Sequence, residues 1–144
     1  MLLKGEQLAA HLERDLRPLY VLYGDEPLLV IEAADAIRAK AKKQGYSERE
    51  VLTVLPQFDW GQLLAAGGNM SLFGDKKLID LRIPTGKPGK DGSAALQQWC
   101  QNLSLDNLLL ITLPELDWRE EKAVWFTALV NAGVAIKLMA PPLA

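Results

Sequence analysis

A chain of 144 residues suits one domain, and 49% hydrophobic with 24% charged residues places it among ordinary globular proteins and excludes a disordered one. A formal net charge of −2 lacks the basic excess of a dedicated nucleic-acid binder. The single cysteine, Cys100, excludes an internal disulfide and a cysteine-built metal centre.

The start, Met1-Leu2-Leu3-Lys4-Gly5-Glu6, has neither the basic leader nor the apolar core of a signal peptide. No apolar run approaches the ~20 residues that span a bilayer. A cytoplasmic protein without a membrane partner is expected. Residues 6–15 carry Leu8 and Leu12, with Leu16 following, at the spacing of a short amphipathic helix that Pro18 ends. His11 falls off that stripe, among charged neighbours, and is expected to be solvated. Leu19-Tyr20-Val21-Leu22-Tyr23 reads as a buried strand closed by Gly24. Asp25 and Pro27 then open a helix whose inward face carries Val30, Ala34, Ile37 and Ala41. Arg38, Lys40, Lys42 and Lys43 crowd its end and read as a solvated basic run beside the negative end of the helix dipole.

Glu50 to Leu55 reads as the next strand, and Asp59 with Gln62 has the spacing of a capping box ahead of a short helix through Ala66. That helix runs into Gly67-Gly68-Asn69-Met70-Ser71-Leu72-Phe73-Gly74-Asp75, an apolar core bracketed by glycines. Composition alone favours burying Leu72 and Phe73 in the domain itself. Lys77 to Ile83 reads as a strand covered on both faces, because its alternation is imperfect. Pro84 to Gly92 consists of turn formers and charge and is expected to be a mobile loop, with Ser93 capping the helix that follows. Leu96, Trp99, Cys100 and Leu103 form the stripe of that helix, which makes Cys100 core rather than nucleophile. Asn107 to Leu113 is the strongest strand. Asp117-Trp118-Arg119-Glu120 opens a helix that is expected to run to Asn131, and Val134 to Leu138 closes the chain's strands.

Strand and helix alternate throughout. The expected fold is α/β, a largely parallel five-stranded sheet flanked by helices, over residues 1–140, with the proline pair in 141–144 starting a linker. Such a fold invites a nucleotide, but the turn Gly24-Asp25-Glu26-Pro27-Leu28 has no lysine and no hydroxyl and offers carboxylates where phosphates would lie. No dinucleotide fingerprint, catalytic triad or metal cluster presents itself. The reading is therefore no cofactor, no metal and no catalytic residues. Two alternatives stay open. One is a nucleotide-dependent P-loop-type enzyme with a degenerate phosphate loop. The other is a nucleic-acid-binding domain using Lys76, Lys77, Lys87 and Lys90.

Four blocks carry a family likeness: Leu22-Tyr23-Gly24-Asp25-Glu26-Pro27-Leu28-Leu29, Met70-Ser71-Leu72-Phe73, Leu108-Leu109-Leu110-Ile111, and Ala123-Val124-Trp125-Phe126-Thr127-Ala128-Leu129. In their order and spacing the chain resembles the N-terminal domain of the delta-subunit family of the bacterial DNA polymerase III clamp loader. The resemblance implies an AAA+-like (RecA-like) core that has lost ATP binding, followed by a helical and a collar domain. It implies partners: the beta sliding clamp, and the gamma/tau and delta-prime subunits of a five-membered ring. ATP hydrolysis then belongs to the gamma/tau copies, and this domain is no enzyme, although its parent holoenzyme is a DNA-directed DNA polymerase (a nucleotidyltransferase). Contact with primed DNA is indirect, through the complex. The family's clamp-binding segment falls on Gly68 to Phe73, with Leu72 and Phe73 as the apolar anchors and Met70 and Ser71 beside them. Clamp-binding peptides often begin with Gln, where this chain has Gly68. On this footing Leu72 and Phe73 are expected to enter a partner's pocket rather than the domain's own core.

Overall fold

A computed structural model describes residues 1–68 and 76–140. Leu19 to Tyr23 form a strand, β2, with every residue buried. Alternation sends Leu19, Val21 and Tyr23 to one face of the sheet and Tyr20 and Leu22 to the other. Burial on both faces is the signature of a parallel sheet, and all strand pairs here are parallel. The other strands are β1 (Leu2–Lys4), β3 (Tyr46–Thr53), β4 (Lys76–Arg82), β5 (Asn107–Thr112) and β6 (Val134–Lys137), in the order β1-β6-β2-β5-β4-β3. The sheet has six strands rather than the five expected. β1 is too short to show a period in sequence, and it exists because its backbone pairs with β6.

From β2 the chain crosses to the far edge at β3, works back through β4 and β5, and then passes to the other side of β2 as β6. The crossovers place α1 (Leu8–Arg14) and α2 (Pro27–Lys43) on one face. On the other lie α3 (Gly61–Gly68), α4 (Gly89–Gln101) and α6 (Val124–Ala132). The second layer is wholly apolar, with Tyr23 edge-on to Phe126 at 5.0 Å between ring centroids. The first layer contains charge. Asp80 of β4 is 0% exposed, and its Oδ2 accepts from Nη1 of Arg38 on α2 and Nη2 of Arg49 on β3, both at 2.9 Å. Arg38 is thus no solvated helix end. A carboxylate fully removed from water needs partners of this kind, and the arginines tie α2 and the edge strand β3 to β4.

Four further expectations change. His11 is buried, and its Nε2 lies 2.8 Å from the Tyr20 hydroxyl. It stands three residues after Leu8, which on a helix is the same face, so the four-residue leucine spacing concealed it. Residues 89–92 of the expected mobile loop are the first turn of α4, and Ser93 lies inside the helix rather than capping it. The helix starts early because Gly92 packs under Trp60, where a Cβ would come within 2.5 Å of the ring. The helix expected from Trp118 to Asn131 is two: α5 (Trp118–Glu121), with Asp117 accepting from Glu120 N at 2.9 Å, and α6. Glu120 turns to accept from Trp125 Nε1 at 3.0 Å, and Ala123 between the helices is extended. β3 begins at Tyr46, four residues before the strand predicted from Glu50.

Candidate functional site

Parallel sheets bind ligands outside the carboxyl ends of their strands, at the point where strand order reverses. Here that point follows β2. Gly24 has φ of 149°, and a Cβ on it would sit 1.8 Å from the carbonyl oxygen of Leu138, so the turn is pressed against the chain leaving β6. Pro27 opens α2, and Glu26 caps it, accepting from Leu28 N at 3.3 Å. Asp25 Oδ1 accepts from Ala140 N at 2.8 Å. The positive end of α2, which would attract a phosphate, already faces a carboxylate of its own. A cavity of about 490 Å³ remains between this turn and the ends of β4 and β5. Asp25 and Glu115 line it, with Arg82 its one cation among the described residues.

At the opposite end of the sheet lie Gly68 and Lys76, the residues that flank the stretch singled out by sequence. Met70, Ser71, Leu72 and Phe73 lie outside the described residues; the chain on either side of them does not. α3 ends at Gly67 and Gly68, and the glycine at 67 is required by close approach, since a Cβ there would come within 2.5 Å of Cζ3 of Trp99 on α4. The last carbonyls of a helix have no partner within it. Asn107, the first residue of β5, supplies one: its Nδ2 donates to the Gly67 oxygen at 3.0 Å. On the far side of the segment Lys77 N donates to the Asp106 oxygen at 2.9 Å. The turn from Ser104 to Asn107 thus holds the chain both before and after the predicted site. The turn is itself pinned. Tyr46 donates its hydroxyl proton to the Leu105 oxygen at 2.5 Å, and Ser104 Oγ accepts from Asp106 N at 3.1 Å. Its outermost side chain, Leu105, is 66% exposed. Lys76 lies 5.3 Å over the ring of Tyr46. Sequence reasoning did not reach Asn107 or Trp99 in these roles. A lone Asn at a strand start carries no signal of the helix it will cap 40 residues away.

The remaining candidates sort themselves by burial and place. Burial pushes the Cys100 thiol up to about 11, so it stays protonated and packs against the apolar layer. The four lysines of the nucleic-acid reading do not gather. Lys76 and Lys77 start β4, and Lys77 pairs with Glu50 at 2.7 Å, whereas Lys87 and Lys90 lie beyond the strand's other end. Among the described residues no three His, Cys, Asp or Glu side chains come together as a metal site. No helix among them is long and apolar enough to cross a membrane.

Residues 20–138 match the family model described as DNA polymerase III, delta subunit. The chain is 35% identical over 136 residues to the DNA polymerase III subunit delta of Escherichia coli (strain K12), covering 94% of this chain and 40% of that protein. The subunit of the same name from Haemophilus influenzae is 34% identical over 128 residues, covering 86% and 36%. The solved Bacillus subtilis DNA clamp loader delta protein superposes with a TM-score of 0.72 at 19% identity, over 95% of this chain and 43% of that one, a likeness of fold. The chain therefore spans about two-fifths of the length of these relatives.

Proposed function

The chain belongs to the DNA polymerase III delta-subunit family, and on that premise we propose that it is the clamp-gripping domain of a clamp loader. It binds the beta sliding clamp through Leu72 and Phe73, with Met70 and Ser71 beside them, and helps to open the ring for placement on primed DNA. Residues 1–140 make this domain, and 141–144 begin the link to further domains that engage gamma/tau and delta-prime. The domain is not itself an enzyme and works in the cytoplasm.

One observation carries the reading: the family match runs across the segment that holds the two adjacent apolar anchors. The capped N-terminus of α2 supports a binding role over a nucleotide-driven one, since the phosphate position faces Glu26. Two apolar side chains entering one pocket are a hot spot, and opening requires that they bind the open ring better than the closed one. Calorimetry against the cognate clamp tests this. Leu72→Ala and Phe73→Ala are each expected to weaken binding by about tenfold or more. A folded double variant that binds as the parent does would remove the anchor assignment.

A further inference from the structure

We propose that the Ser104–Asn107 turn is a clasp that fixes the chain on both sides of the clamp-binding segment and thereby strengthens clamp binding, with Asn107 as its positioning residue. The inference rests on the clamp-binding reading above but on residues outside the segment. Asn107 Nδ2 holds the Gly67 oxygen at 3.0 Å, at the last turn of α3. The neighbouring Asp106 oxygen receives Lys77 N at 2.9 Å, at the start of β4 after the segment. Two adjacent residues of one turn therefore fix the chain at both of the segment's borders. The turn can bear this because Tyr46 and Ser104 hold it from two further directions. On the α3 side, the indole of Trp99 lies against Gly67.

The physical consequence is preorganisation. A binding segment whose two ends are tied loses less freedom on docking than one whose ends swing, and the difference appears as affinity without any new contact. Asn107 acts through the segment and touches no partner. Removing its donor frees the Gly67 carbonyl and one border while leaving the anchors chemically intact.

Asn107→Ala and Asn107→Asp separate this from a merely structural role. Asp is nearly isosteric but turns the donor into an acceptor facing a carbonyl. Affinity of the folded chain for the beta clamp is measured well below the unfolding temperature, for each variant alone and combined with Leu72→Ala. Asn107→Ala is expected to weaken binding about fivefold and Asn107→Asp more. The effect is expected to shrink when Leu72 is already Ala, because both act through one segment. Variants that lower the unfolding temperature yet bind the clamp as the parent does would overturn the clasp, and so would a loss that simply adds to that of Leu72→Ala. If Leu72→Ala and Phe73→Ala themselves leave binding unchanged, the clamp-binding reading fails first, and the clasp with it.

Discussion

The two ends of the sheet each press a glycine against a neighbour, and the neighbours differ in kind. Gly24, at the carboxyl end, meets the backbone oxygen of Leu138; Gly67, at the amino end, meets the side chain of Trp99. The Leu138 carbonyl belongs to backbone whose own N–H is bonded to the Tyr23 oxygen at the end of β2, so it cannot yield without moving the chain that leaves β6, whereas an indole can tilt. Around Gly24 the chain also binds to itself, with Glu26 on the helix end and Asp25 on Ala140. Around Gly67 the fixing contacts are two hydrogen bonds from one turn, and an exposed Leu105 stands beside them. In this fold the end that would ordinarily hold a nucleotide is closed with its own carboxylates, and the end that ordinarily serves only stability borders the predicted docking segment.

The sharpest break of this contrast comes from Gly24→Ala. The collision with a backbone oxygen, added to a φ that alanine rarely adopts, is expected to cost roughly 3 kcal/mol of stability in chemical denaturation. Gly67→Ala is expected to cost about 1 kcal/mol, since Trp99 can shift, and to weaken clamp binding in the folded protein. A larger stability loss at Gly67 than at Gly24 would reverse the contrast.

Acid probes the amino end, where β2 begins. Arg17 N donates to the Tyr20 hydroxyl at 2.8 Å, and burial holds Tyr20 up to about 12, so its own proton is free to go to Nε2 of a neutral His11. Burial lowers the His11 pKa below its ordinary 6.5; Arg17 and Arg14 lower it further, and Asp15 opposes them. A histidine whose folded pKa is depressed binds more protons when unfolded. Its contribution is therefore complete above 6.5 and falls as pH drops through that value toward the folded one. Denaturation series between neutral and acid pH are expected to show that loss, and a smaller one in His11→Gln. An identical pH profile in the variant would mean that the pair does not report on folding. The smallest effect belongs to Leu105→Ala, expected to change stability by less than about 0.5 kcal/mol because the side chain is already in water.

The amino-acid sequence by itself determined the alternation of strand and helix, the burial of Leu19–Tyr23 and Leu108–Ile111 on both faces, and the carboxylates in place of a phosphate loop. These are local properties: a period, a run of β-prone side chains, a missing lysine. It also supplied the four blocks that place the chain in its family, because order and spacing survive without knowledge of contacts. Only the tertiary structure decided that Leu2–Lys4 is a strand, that the helix after Asp117 breaks at Ala123, and that His11 and Arg38 turn inward. Each depends on a partner that only the fold supplies: β6 for Leu2–Lys4, Trp125 for the break at Ala123, Tyr20 for His11 and Asp80 for Arg38. The grip of Asn107 on Gly67 is of the same kind. A side-chain amide pairs with whichever carbonyl the fold brings within 3.0 Å, and no local pattern names it beforehand.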